Sequence, residues 1–240
     1  MDNTMIVGLS RQAVLRRQID VVANNLANIN TAGYRGLHMR FSEFPMPGTE
    51  SGGNGGISMV RDAGALNDMT AGPVKHTGNP LDVSLDGKGW FVVQTPDGDR
   101  YTRNGAFRLD ATGNLVTADG HFIQGEAGNI TFGATERDIS IASDGTISTS
   151  EGTKGRLRLV KFENENMLTR DDDTYFIGEN PEPATASVIQ GTLEQSNVQA
   201  VREIADMVSI TRAYTSLSKL FSDTGEMQSD AINKLGRLEA

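Results

Sequence analysis

Apolar residues recur at alternating steps of three and four near both ends of this 240-residue chain. Near the C-terminus the positions of this pattern are Met207, Ile210, Tyr214, Leu217, Phe221, Thr224, Gln228, Ala231, Leu235 and Leu238. Near the N-terminus they are Leu15, Ile19, Val22, Leu26 and Ile29. Steps that average about 3.5 residues place one narrow seam on a helix, which is typical of coiled coils. The pattern therefore predicts two terminal helices, and we expect the C-terminal seam and the N-terminal seam to be assembly interfaces.

Short β patterns fill the middle of the chain. Between residues 81 and 177 they recur about every 8–12 residues. They are separated by dipeptides that suit tight hairpin turns, namely Asp86-Gly87, Asp97-Gly98, Asn104-Gly105, Asp119-Gly120 and Asp144-Gly145. We therefore predict an α+β fold, in which N- and C-terminal α-helices form a coiled-coil-like layer with an inserted all-β domain.

These patterns divide the chain into five parts. The predicted parts are an N-terminal helix at residues 1–33, an extended or flexible connector at 34–76, an all-β outer domain at 77–178, a return connector at 179–195 and a C-terminal helix at 196–240. Residues 52–56, Gly-Gly-Asn-Gly-Gly, are too flexible for packing to be expected. Ser196 and Gln199 have the spacing of a capping box, which predicts that the C-terminal helix begins near Ser196.

The two predicted helices differ in length, and this bears on assembly. At about 1.5 Å per residue, a helix over residues 198–238 is roughly 60 Å long and one over residues 4–29 is roughly 40 Å long. If they pair with each other, part of the C-terminal seam stays uncovered, which favours further copies of the chain as partners. The alternative, in which both helices pack on the β domain of a monomer, remains open at this stage.

Composition argues against several classes of function. The net charge is −9, and residues 1–40 hold five Arg against two Asp, so the acidic excess lies further along the chain. Nucleic-acid binding needs clustered Lys and Arg and is not expected. No apolar run reaches 18 residues, so we expect no membrane insertion, and the N-terminus lacks the pattern of a cleaved signal peptide. The absence of cysteine excludes disulfides and thiolate metal sites.

The sequence contains no convincing motif for catalysis or metal binding. His38, His76 and His121 are scattered and have no partner at ligand spacing. The segment from Asp110 to Asn114 resembles a calcium loop only faintly, because the required Gly and the terminal Glu are misplaced. We therefore expect no enzyme activity and no cofactor. An extracellular calcium-dependent β module is the alternative from a different functional class.

Three motifs in the chain resemble those of one protein family. The N-terminal motif is formed by Ala23, Asn24, Asn25, Leu26, Ala27, Asn28, Asn30, Thr31, Gly33 and Tyr34. The middle motif comprises residues 77–83 and 101–105, and the C-terminal motif comprises residues 191–198 and 212–214. In this order the motifs resemble the flagellar basal-body rod protein family of bacteria, which includes axial rod and hook proteins. The chain is most similar to the proximal-rod members of that family.

The resemblance implies a structural role. It implies an axial component of the proximal rod that polymerises through its terminal helices into part of a hollow, torque-transmitting shaft. The implied partners are copies of the chain itself, other proximal-rod proteins, the distal-rod protein and the flagellar type III export apparatus. The implied location is the basal-body rod where it crosses the periplasm, reached without a cleaved signal peptide and with no cofactor bound. A distal-rod subunit is the alternative within the family.

Overall fold

A computed structural model gives the fold of the chain. It describes residues 2–46, 57–133, 136 and 138–238, with side chains at 7–41, 64–133, 136, 138–227, 229 and 230. The glycine-rich residues 52–56, which the sequence predicts to be unpacked, lie outside the described residues. Two helices and a large β region are present, so the α+β prediction is confirmed.

The helices are α1 (Asp2–Ala27) and α2 (Ala200–Leu238). The strands are β1 (Leu37–Met46), β2 (Ile57–Asn67), β3 (Val74–His76), β4 (Val83–Asp86), β5 (Trp90–Thr95), β6 (Gly98–Thr102), β7 (Arg108–Leu109), β8 (Leu115–Val116), β9 (Phe122–Gly125), β10 (Gly128–Asn129), β11 (Ser140–Ile141), β12 (Thr146–Thr149), β13 (Gly152–Arg156), β14 (Leu159–Lys161), β15 (Thr169–Arg170), β16 (Tyr175–Ile177), β17 (Glu182–Pro183), β18 (Ser187–Gln190) and β19 (Thr192–Glu194).

The chain divides into two compact units. The first, called the helical unit, comprises Met1–Leu26, Leu37–Leu66 and Gln199–Ala240, and it contains α2, nearly all of α1 and the β1–β2 pair. The second, called the β unit, comprises Ala27–Gly36 and Asn67–Val198, and it contains the remaining strands.

Strand β5 lies at the centre of the β unit and pairs with β6, β9 and β14. Its side chains alternate between two cores, as expected for a strand with a period of two. Phe91 and Val93 pack in the larger core, whereas Trp90 and Val92 pack in a second core with Phe176. The sequence run from Trp90 to Val93 predicts a strand buried on both faces, and the structure confirms this.

Both predicted connectors contain strands. In the segment 34–76, predicted to be extended or flexible, β1 and β2 pair with each other as a two-stranded sheet. In the segment 179–195, β18 pairs with β4 and β19 pairs with β3. Strands β18 and β19 are short and their partners are distant in the chain, whereas β1 and β2 lie beside glycine-rich sequence, so local patterns give only a weak signal for all four.

The predicted capping box at Ser196 is wrong. The hydroxyl of Ser196 accepts a hydrogen bond from the N–H of Val198 at 3.2 Å, which makes a local turn before the helix. Helix α2 begins at Ala200, and the carbonyl of Gln199 accepts the N–H groups of Arg202 and Glu203. At the other end of the chain, α1 stops at Ala27, so Ile29 lies beyond the helix on which the sequence places it.

Four of the five predicted turn dipeptides have their glycine at positive φ, namely Gly87, Gly98, Gly120 and Gly145. The prediction of a hairpin glycine at Gly105 is wrong, because its φ is not positive. A side chain at Gly105 would instead overlap the carbonyl oxygen of Val83. This glycine is therefore required by close backbone packing rather than by turn geometry.

Candidate assembly site

The N-terminal motif forms the end of α1 and the turn that follows it. The side chain of Asn25 is buried, its amide donates to the carbonyl of Leu37 at 2.9 Å, and its Oδ1 accepts the N–H of Leu37 at 2.8 Å. This pair of hydrogen bonds attaches the start of β1 to the helix in the way a neighbouring strand would. In the turn, the hydroxyl of Thr31 donates to Oδ1 of the buried Asn28 at 2.9 Å.

The last residues of the motif pack inside the β unit. Gly33 has a φ of +69°, and a side chain there would overlap the backbone nitrogen of Asn104. Both facts require glycine at this position. Tyr34 is fully buried, and the guanidinium of Arg170 lies 4.7 Å from its ring centroid. Among the other motif residues, Ala23, Asn24 and Leu26 are half-buried and Ala27 and Asn30 are exposed.

A buried carboxylate brings the three sequence motifs together within the β unit. Arg35 follows the N-terminal motif, Arg103 belongs to the middle motif and Glu194 belongs to the C-terminal motif. Their side chains are only 1%, 5% and 2% exposed. Nη1 of Arg35 lies 2.6 Å from Oε1 of Glu194, and Nη1 of Arg103 lies 3.5 Å from Oε2. We call these three residues the Glu194 clasp.

The two halves of the clasp differ in character. Arg35 and the N–H of Gly72 both bind Oε1 of Glu194, the latter at 3.0 Å. The contact of Arg103 with Oε2 acts through charge, because Oε2 has no hydrogen-bond partner among the described residues. Burial lowers the pKa of Arg103, while the charge of Glu194 opposes that shift. A buried carboxylate with two buried guanidiniums is stable only as a set, because an unpaired charge in this position is costly.

The chain leaves the β unit after Gly36, re-enters it at Asn67 and leaves it again after Val198. Hydrogen bonds near the clasp connect residues at these three points. Oδ1 of Asn197 accepts the N–H of Gly36 at 2.7 Å, and its amide donates to the carbonyl of Asp68 at 2.9 Å. The sequence patterns do not single out the clasp residues. The signal for Arg103 and Glu194 is that they are charged residues inside motifs that consist mostly of uncharged residues.

The described seam residues of the helical unit are buried or half-buried. Leu15 and Val22 on α1 are buried, and Ile19 and Leu26 are half-buried. On α2 the half-buried seam residues are Met207, Ile210, Tyr214, Leu217, Phe221 and Thr224. The side chains of Leu235 and Leu238 lie outside the described residues. That these seams mediate assembly stays a prediction.

The two helices face each other in antiparallel directions. Gly8 on α1 lies against the ring of Phe221 on α2, where any larger residue would overlap that ring. Further along, Val22 and Asn25 of α1 line a groove of about 550 Å³ together with Glu203 and Ile210 of α2. The early part of α1 is thus near the late part of α2. The two seams therefore cover each other in part within one chain.

Most of the described side chains of α2 are nevertheless exposed. Among its described side chains from Ala200 to Met227, Glu203 is the only buried one, and none of the apolar side chains is buried. Large apolar side chains such as those of Val201, Leu220 and Met227 are exposed. Within the described residues, no helix combines the length and the apolar composition that a bilayer crossing requires.

The calcium reading of residues 110–114 has no support in the geometry. Oδ1 of Asp110 accepts the N–H groups of Thr112 and Asn114, each at 2.8 Å, and Oδ2 accepts the side-chain amide of Asn114 at 3.0 Å. These hydrogen bonds, those from Asn114 first, hold the pKa of Asp110 below its usual range. Donor hydrogens thus occupy the positions that a cation would need. Across the part of the chain that the structure describes, no cluster of three or more His, Asp or Glu is arranged for a metal.

Comparison with known proteins connects this geometry to a family. Three family models match the chain: "Flagella basal body rod protein" at residues 5–35, "Flagellar hook protein FlgE/F/G D1 domain" at residues 84–149 and "Flagellar basal body rod FlgEFG protein C-terminal" at residues 189–234. The flagellar basal-body rod protein FlgF of Caulobacter vibrioides is 37% identical over 99% of this chain and 100% of its own length. The chain belongs to the flagellar basal-body rod protein family. The recognition of this family from the three motifs is therefore confirmed.

Other similar members of the family are named either FlgF or FlgG. The FlgF of Escherichia coli is 33% identical over 94% of the chain and 95% of its own length. The FlgG of Agrobacterium fabrum is 34% identical over 88% of the chain and 91% of its own length. The chain is most like the FlgF members, as the motifs predict. Each of the three matched regions contains one residue of the Glu194 clasp, so the clasp ties together the parts by which the family is recognised.

Proposed function

We propose that this protein is a structural axial subunit of the proximal rod of the bacterial flagellum. Copies of the chain polymerise through their terminal helices and form part of the hollow shaft that transmits torque. The role involves no catalysis, no cofactor and no nucleic acid. The family membership and the greater likeness to FlgF support this proposal.

The observation that carries the proposal is the lack of cover on α2. This helix has 39 residues, yet none of its described apolar side chains is buried. Helices in water owe most of their stability to packing of an apolar face. A helix of this length with half-buried seam residues and further exposed apolar side chains therefore needs partners outside its own chain.

The proposed partners are copies of the chain, the other proximal-rod proteins and the distal-rod protein. We propose that the chain reaches the rod in the periplasm through the flagellar type III export apparatus. The FlgG relatives keep a distal-rod position as the second candidate. Locating the subunit within an intact basal body by cryo-electron microscopy separates the two positions, because proximal and distal rod occupy different heights along the axis.

Substitution of a seam residue tests the proposed polymerisation. Leu217→Asp places a charge on the C-terminal seam, where an apolar contact is expected. A polar group buried without a partner costs about 2–7 kcal/mol, so we expect assembly and swimming to be lost. Swimming is measured in soft agar in cells that carry the variant in place of their own gene, and rods are counted by electron microscopy.

The matched control is Ser218→Asp, because Ser218 neighbours Leu217 and is exposed. This variant should assemble and swim normally. In both variants the β unit should remain folded, as judged by its resistance to protease. Normal swimming of the Leu217→Asp cells, with the variant present in their rods, would contradict the proposed role of the seam.

A further inference from the structure

Helix α2 carries two exposed apolar patches in addition to its seam. The first consists of Val201, Ile204 and Val208, whose residues are 84%, 49% and 45% exposed, and we call it the head patch. The second consists of Leu220 and Met227, which are 63% and 65% exposed, and we call it the tail patch. Exposed apolar residues grouped in this way mark surfaces that contact another protein.

The two patches point in different directions. A residue advances about 100° around an α-helix, so the head and tail patches are roughly 120° apart and lie on opposite sides of the seam. Ile204 and Leu220 are separated by 16 positions in the helix. At about 1.5 Å per residue this places the patches about 24 Å apart along the axis.

The N-terminal helix of the same chain does not cover either patch. It lies on the seam side of α2, where Gly8 meets Phe221 and where Val22 and Ile210 line a common groove. The patch residues have the exposed fractions given above even though α1 is packed against the seam. Among the described residues of the helical unit nothing covers either patch, so we look for their partner in another molecule.

We infer that the head patch of one copy packs against the tail patch of the next copy. This inference rests on the proposed polymer, and it names the surfaces that the polymer uses beyond the seam. An open helical polymer needs two different surfaces on each subunit, since a contact of a surface with its own copy closes into a dimer. The head and tail patches are such a pair, because they differ in position and direction but are both apolar.

The small size of the patches fits repeated contacts rather than an isolated pair. A stable two-protein interface buries more than about 1,000 Å² in total, which five side chains do not provide. Each head-to-tail contact is therefore weak alone and adds to the seam contact in the polymer. In this arrangement neighbouring α2 helices run parallel and are staggered by about 24 Å.

Cysteine cross-linking tests the pairing. The chain has no cysteine, so introduced thiols are the only ones in it. The double variant Val208→Cys/Leu220→Cys is expressed in cells in place of the native chain and treated with a short thiol-specific cross-linker. The two positions are 12 residues, or about 18 Å, apart in one helix, so a shorter reagent cannot join them within a chain. We expect a ladder of dimers, trimers and higher products on a denaturing gel.

The controls separate this pairing from other contacts. Each single variant should give monomer only, and so should Val208→Cys/Ser222→Cys, because Ser222 lies on a different side of the helix from Leu220. A dimer from either single variant would show that like patches meet and would overturn the inference. The inference would also be overturned if the double variant is expressed at the level of the native chain and gives no ladder. Polymerisation through the seam would still stand if Leu217→Asp cells fail to swim.

Discussion

At the scale of single residues, the carboxylate of Glu194 joins distant parts of the sequence. It contacts Arg35 and Arg103, which precede it by 159 and 91 positions. All three side chains are buried, so their charges are stabilised mainly by groups of the protein rather than by water. The backbone of Glu194 adds a further tie, because its carbonyl accepts the N–H of Gly33 at 2.8 Å.

Neutralising this carboxylate tests the clasp. We expect Glu194→Gln to lower the free energy of unfolding of the β unit by about 3–5 kcal/mol, because two buried guanidiniums lose their counter-charge. Urea unfolding followed by the fluorescence of Trp90 reports on this unit, since Trp90 is the only tryptophan and is buried there.

The control for the clasp is Glu182→Gln. Glu182 lies 3.4 Å from Lys161, but both side chains are largely exposed. Exposed ion pairs contribute about 0–1 kcal/mol, so this variant should unfold much like the native chain. Equal unfolding curves for the two variants would show that the clasp contributes nothing beyond an ordinary surface pair.

At the scale of secondary-structure elements, β5 and α2 differ sharply in their surroundings. Phe91, Val92 and Val93 of β5 are fully buried and lie between paired strands. Helix α2 has no buried apolar side chain among its described residues. The stability of β5 therefore arises within the chain, whereas we expect α2 to gain stability from partners in the proposed assembly.

Hydrogen exchange should show this contrast. In dilute solution we expect the amides of α2 to open at a cost of about 0–2 kcal/mol, while those of β5 open only with the whole β unit. In assembled rods the amides of α2 should become strongly protected. Mass spectrometry of exchanged peptides measures both states. Strong protection of α2 in the dilute monomer would show that the helix is stable without partners.

At the scale of the whole molecule, the net charge of −9 opposes the association of identical copies. The head and tail patches consist of uncharged side chains, so salt does not weaken their attraction directly. Salt does screen the repulsion, since the Debye length falls from about 10 Å at 0.1 M to about 3 Å at 1 M. Added salt should therefore favour assembly.

Sedimentation velocity of the purified chain at increasing sodium chloride tests this expectation. The fraction of oligomers at a fixed protein concentration should rise with salt. The Leu217→Asp variant serves as the control and should stay monomeric throughout the series. A fall in oligomers with added salt would show that attraction between opposite charges, and not apolar contact, holds the copies together.

Much of the architecture could be predicted from local sequence. The two helices follow from apolar steps of three and four, and β5 follows from a short apolar run between turn signals. The hairpin glycines at Gly98 and Gly120 follow from Asp-Gly pairs. The family follows from three motifs in order. In each case the information lies in residues that are close together in the chain.

Only the tertiary structure decided which distant residues meet. The Glu194 clasp, the packing of Gly105 on Val83 and the contact of Gly8 with Phe221 all join segments that are far apart in sequence. The same holds for β18 and β19, which pair with β4 and β3 from a much earlier part of the chain. Periodicity in the sequence determined what each segment becomes, because helices and strands have local repeats. It could not determine what each segment touches, because packing depends on the folded positions of all segments together.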